Sequence, residues 1–165
     1  MFRDNVHAAR GSLQIIAVAL APVVLLLPFA GKPAHIDDPV YIWVAQRILE
    51  SPLDFYGGVI NWYGAPMRVS EFNQNPPGVS FYLAIAGGVA GWNEIALHLW
   101  MLLPAAAVSA GVYVLAKRMN ADGVMAALLA VTAPGFVVSA STLMADVLML
   151  ALYTWCVLLW IQGLD

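Results

Sequence analysis

Apolar residues run through this chain in long unbroken blocks, not at a strand or surface-helix period. Four blocks approach or reach the roughly 20 apolar residues that a helix needs to cross a bilayer core of about 30 Å. They run from about Leu13 to Ala30, Ile95 to Leu115, Val124 to Ala140 and Leu143 to Ile161. Pro22, Pro28, Pro104 and Pro134 fall inside or at the ends of these blocks, where membrane helices tolerate proline better than soluble ones do. A fifth stretch, Val79 to Trp92, offers only about 21 Å of helix at 1.5 Å per residue. It is expected to lie in the interface or to be re-entrant. The pattern predicts an all-α polytopic membrane protein of about four transmembrane helices. A long external loop, residues 31–94, carries the interfacial helices.

Composition supports this reading. Hydrophobic residues make up 62% of the chain and charged residues 10%, against about 45–50% and 25% in soluble domains. A soluble globule of this size lacks the polar groups to cover its surface, and a disordered chain is poorer in apolar residues. The net charge of −3 and the absence of a basic stripe argue against nucleic acid as a partner. Cys156, the single cysteine, sits in an apolar run and reads as a small buried thiol.

Charge sets the sidedness. Arg3 and Arg10 precede the first block, and Lys117-Arg118 follow the second. The positive-inside rule places both pairs in the cytoplasm, which four crossings satisfy and five do not. Both termini are then cytoplasmic, in a plasma (inner) membrane, and the long loop is external or periplasmic. A cleaved signal peptide fits less well. The first block exceeds the usual apolar length, and Pro28-Phe29-Ala30 lacks a small residue three positions before the cut. No internal repeat or linker divides the chain.

The external loop holds most of the chemistry, including six acids: Asp37, Asp38, Glu50, Asp54, Glu71 and Glu94. Asp38-Pro39 reads as an N-cap followed by a proline in the first turn, which leaves Asp37 as the free carboxylate. In the helix that follows, Trp43, Gln46, Arg47 and Glu50 share one face. Such a helix suits a membrane surface, with its polar stripe turned from lipid. Trp62, Tyr63 and the run Asn73-Gln74-Asn75 read either as an interfacial belt or as a sugar-contact surface of rings and amides. Pro76-Pro77 stops one segment and starts the next helix. Asp146 opens the fourth block behind Ser141-Thr142, where the helix dipole favours it. An ionisable group at the hydrocarbon edge is also a functional candidate. His35 beside the acidic pair does not specify a metal site, and His98 reads as a packed or hydrogen-bonded residue of the second span.

These features, in this order, resemble the N-terminal part of the GT-C glycosyltransferases that use polyprenyl-phosphate sugars. Within that fold they are most similar to the protein O-mannosyltransferase and aminoarabinose lipid A transferase family. The resemblance is carried by Asp37-Asp38 with Tyr41, by Pro76-Pro77-Gly78 leading into Val79–Trp92, and by Asp146 in the next external turn. The sequence departs from the family at Asn75, where Lys or His is usual, and at His98, where Arg is usual. The resemblance implies transfer of a sugar from a polyprenyl-phosphate donor to a lipid, glycan or protein acceptor on the external face. It implies further spans after Asp165, so that residues 1–165 alone are expected to be inactive.

A carboxylate near the attacking atom can take its proton, and Asp37 is the candidate base. Asp146 is the second catalytic candidate. It would orient the acceptor, stabilise charge developing on the sugar, or help hold a divalent metal. No metal or other cofactor is specified by the residues. Asp38, Tyr41, Arg47, Trp62, Tyr63 and Asn75 are the candidate substrate-binding residues. The leaving phosphate calls for a cation, and the loop supplies Lys32, Arg47 and Arg68. The competing reading is a non-enzymatic four-span protein, part of a transporter or an assembly or scaffold subunit.

Overall fold

The computed structural model describes residues 2–164, with side chains from Gly11 onward. The chain is mostly helical. Helix α1 (Phe2–Leu26) passes through Pro22 without ending and closes in a short 3-10 turn, Leu27–Phe29. Helix α2 (Asp38–Glu50) follows. Strands β1 (Val59–Asn61) and β2 (Pro66–Arg68) form an antiparallel hairpin, an element absent from the all-helical expectation. Helices α3 (Val69–Phe72) and α4 (Gly78–Ala90) complete the loop.

Helix α5 (Glu94–Arg118) tolerates Pro104 in its interior. Asn93 caps it, its Oδ1 accepting from the Ala96 amide at 2.9 Å. Helices α6 (Gly123–Thr132) and α7 (Pro134–Ala140) meet at a 64° bend. Pro134, which has no N–H for the carbonyl four residues back, stands at the break, whereas α1 and α5 run through Pro22 and Pro104. Helix α8 (Ala145–Leu164) ends the described chain.

Among the described residues, three segments are long and apolar enough to cross a membrane: Gly11–Phe29, Glu94–Arg118 and Ala145–Leu164. The bent pair α6–α7 makes a fourth if it counts as one span. Helix α4 is too short to cross on its own, as its 13 residues show.

Helices α1 and α5 lie side by side. Tyr113 donates to Gln14 Oε1 at 3.1 Å, and Ser109 donates to the Val18 carbonyl at 2.6 Å. Helix α8 packs on α5 through Gly111, where an added Cβ would come within 2.7 Å of Thr154 Cγ2. Glycine is required there for the close approach. Trp155 Nε1 donates across the same contact to the Ala107 carbonyl at 3.0 Å.

Two apolar clusters matter for the site. One lies between the spans and includes Leu26, Leu102, Val108, Val131 and Val147. The other joins α2, α4 and the start of α5 through Val44, Ala45, Leu83, Leu97 and Leu143. In this second cluster α2 lays its apolar face on α4, where burying each large aliphatic side chain is worth about 1.5–3 kcal/mol.

Candidate functional site

Three loop segments converge on one pocket. The start of α2 brings Asp37, Val40 and Tyr41; the hairpin turn brings Trp62 and Tyr63; the segment after α3 brings Phe72, Asn73 and Asn75. The pocket holds about 130 Å³. Asp37, Tyr41, Trp62, Tyr63 and Asn75, all candidates from the sequence, thus share its wall.

The hairpin explains how Trp62 and Tyr63 arrive. Asn61 pairs with Pro66 across the turn, and Gly64 takes φ +87° within it, a conformation that glycine adopts without penalty. Trp62 stacks on Phe72 with centroids 5.8 Å apart and planes within 4°. Tyr63 meets the same ring edge-on at 6.0 Å. Asn73 belongs to the amide run read from the sequence, whereas Phe72, the last residue of α3, carries no local signal that marks it for the pocket.

Amide groups fix the opposite side. Asn73 is buried, and its Oδ1 accepts from the Asn75 backbone amide at 3.1 Å. The Tyr56 hydroxyl donates to the Asn75 carbonyl. Asn75 Nδ2 then donates to the Tyr41 oxygen at 3.1 Å, leaving the Tyr41 proton to donate elsewhere. Burial pushes the Tyr41 phenol up from its ordinary range, and the charges of Asp37 and Asp146 push in the same direction, against the Asn75 bond. Tyr41 therefore stays a neutral hydroxyl at physiological pH.

Asp37 and Asp38 differ in what their side chains do. Asp37 occupies the N-cap position of α2, and its side chain makes no capping hydrogen bond. Asp38 is inside the helix and 0% exposed. Its Oδ1 accepts from the Leu143 amide at 2.9 Å, 105 residues away. Its Oδ2 accepts from the His35 amide and meets His35 Nδ1, both at 3.2 Å. Asp38 is thus not the cap of α2 and does not line the pocket; both oxygens are used internally. The turn it secures contains Ile36 at φ +54°. For a β-branched residue this is strained, by about 1–3 kcal/mol, and the Asp38 bonds hold it in place.

Arg47 lies outside the pocket, 3.6 Å from Glu50 and 3.6 Å from Asp54. Lys32 Nζ donates to the Ser141 carbonyl at 3.3 Å. Arg68 is exposed at the end of the hairpin. The pocket lining therefore contains a carboxylate and no Lys or Arg.

Asp146 is exposed in the first turn of α8. It does not line the pocket, though it is near enough to raise the Tyr41 phenol. It borders a neighbouring, mostly apolar space with Val108, Phe136 and Ser139. His98 is buried and bonds the Glu94 carbonyl through Nδ1 at 2.8 Å. Among the described residues, no three of His, Cys, Asp or Glu gather where one metal ion could be held.

The arrangement offers a carboxylate that can take a proton, a neutral phenol and amides that can hydrogen-bond hydroxyls, and a stacked ring pair that can cover a sugar face. Comparison of the chain with protein-family models, curated proteins and solved structures finds no match.

Proposed function

We propose that this chain is the N-terminal part of a GT-C-like membrane glycosyltransferase. In this reading it passes a sugar from a polyprenyl-phosphate donor to an acceptor at the external face of the plasma (inner) membrane. The observation that supports the reading is the convergence of Asp37, Tyr41, Trp62, Tyr63 and Asn75 on one pocket from three separate segments. Asp37 takes the proton of the attacking group, and Tyr41 and Asn75 orient it. Asp146 acts on the same site through its field. Sugar transfer from a radiolabelled polyprenyl-phosphate donor, measured in membranes from native and gene-deleted cells, tests the reading. Equal transfer in both overturns it.

The same geometry supports four crossings. Gly11 and Lys117 border one space at one end of the bundle. The bent pair begins beside Lys117, where an added Cβ on Gly123 would come within 2.9 Å of the Lys117 side chain. It delivers Ser141 to Lys32 at the other end. With the basic clusters inside, the hairpin is external. Single cysteines at positions 68 and 118, in a Cys156→Ser background, are expected to react with an impermeant maleimide from opposite faces. Reaction of both from one face would remove this topology.

The spans give little support to a translocation path. Residues 11–29, 95–116 and 147–164 contain no Asp, Glu, Lys or Arg. The Ser109 and Thr154 hydroxyls bond backbone carbonyls at 2.6 and 2.8 Å and line no polar route.

A leaving phosphate needs a countercharge. Lys32 and Arg47 are engaged elsewhere and no cation lines the pocket. In this reading further spans supply that wall. Purified residues 1–165 are expected to show no transfer in a single-turnover assay, and Asp37-dependent transfer by them would mean that the chain is sufficient.

A further inference from the structure

We infer that the acceptor is a lipid, with a hydroxyl- or amine-bearing head in the Asp37–Tyr41–Asn75 pocket and its hydrocarbon chain in the groove between α4 and α8. The word acceptor rests on the transfer reading above; the binding site rests on geometry alone.

The groove holds about 440 Å³. One wall is Pro76, Gly78 and Val79 at the start of α4. The other is a single face of α8 from Ala145 through Leu148 and Leu152 to Cys156. At 1.5 Å per residue that face runs about 16 Å along the span. The mouth of the groove adjoins the polar site on the α4 side, where Pro76 of the groove wall directly follows Asn75 of the pocket. A molecule with a polar head in the pocket therefore has its tail directed along α8 into the hydrocarbon layer.

The chemistry of the two compartments selects the occupant. The groove is almost wholly apolar, so a polypeptide laid in it would leave backbone N–H and C=O groups without partners. A water-soluble glycan gains nothing from it. A hydrocarbon chain fits at no polar cost. The pocket carries the Asp37 carboxylate, feels Asp146 and has no cation in its lining. It therefore repels a phosphate head and accepts a neutral or cationic one. This separates the groove from the tail of the phosphate donor.

Photo-crosslinking tests the site without requiring turnover. The intact protein in nanodiscs is irradiated with trace monoglucosyl diacylglycerol carrying a diazirine in its acyl chain, or with phosphatidic acid of the same chain. The glucolipid is expected to label α8 between residues 148 and 156, about tenfold more than phosphatidic acid because like charge opposes the latter. A Cβ added at Gly78 meets nothing within 4 Å, so Gly78→Leu places its bulk in the mouth of the groove. It is expected to cut labelling by about tenfold, as is Leu152→Trp from the other wall. Equal labelling by both lipids, unchanged by either substitution, would mean annular lipid only and overturn the proposal. Selective labelling without sugar transfer from any polyprenyl-phosphate donor would sustain the lipid site and remove the transfer reading. Asp37-dependent transfer without selective labelling would do the reverse.

Discussion

Asp37→Asn is expected to abolish sugar transfer while leaving the protein as stable and as abundant as the native form. The substitution keeps the shape of the side chain and removes its capacity to take a proton. Positioned general bases contribute about 10²–10⁴-fold in rate, and a loss in that range is the expected result. Stability is spared because the Asp37 side chain makes no capping hydrogen bond. The residue stands at the N-cap position, yet the amides behind it are served by its backbone carbonyl, which accepts from Val40 and Tyr41 at 3.0 and 3.3 Å. Transfer rates and thermal denaturation, measured on the same membrane preparations, separate the two effects. A fall in stability matching the fall in rate would mean that Asp37 is structural.

Asp38 is expected to behave in the opposite way. Asp38→Ala removes an acceptor shared by the buried Leu143 amide and the His35 amide. A buried donor left without a partner costs about 1–3 kcal/mol, so the substitution is expected to cost about 2–5 kcal/mol. The strained turn at Ile36 loses its fastening as well. Asp38→Asn is intermediate: its amide oxygen can still serve Leu143, but its NH₂ then opposes the His35 donor. Adding His35→Ala removes the His35 ring contact alone and leaves the backbone clash, so it should recover little of the Asn loss. Denaturation midpoints of the four proteins check this order. Native-like stability of Asp38→Ala would show that Leu143 and His35 find other partners.

The contrast between these neighbours shows where sequence reasoning reaches its limit. Either aspartate has the chemistry of an N-cap. The choice was made by a partner 105 residues away and by a left-handed isoleucine, and neither leaves a local signature. The pairing of Arg47 with Asp54 is equally hidden, because it depends on a bend that local spacing does not reveal.

The spans were legible because hydrocarbon demands length and apolarity, which composition records directly. The pocket was legible as a set of residue types. Trp62, Tyr63 and Asn75 read as rings and amides suited to a sugar, and the fold brings them to Asp37. What joins them was not legible. The strands of the hairpin have three residues each, too few for alternation to register, and β2 begins with a proline. Pro134 was visible, but nothing local distinguishes it from Pro22 or Pro104, which their helices absorb.

The bend at Pro134 has a consequence for the bilayer itself. Helices of ten and seven residues joined at 64° reach only about 22 Å end to end, while α1 and α8 run nearly the full hydrocarbon thickness. In the four-crossing reading, lipid beside α6–α7 has to shorten to meet it, at a modest cost per ångström. On that reading the protein carries a hydrophobic mismatch on one flank, and the membrane around it is asymmetric in depth. Shorter-chain lipids are then favoured against that flank and ordinary ones against the others, so that the annulus is sorted by chain length.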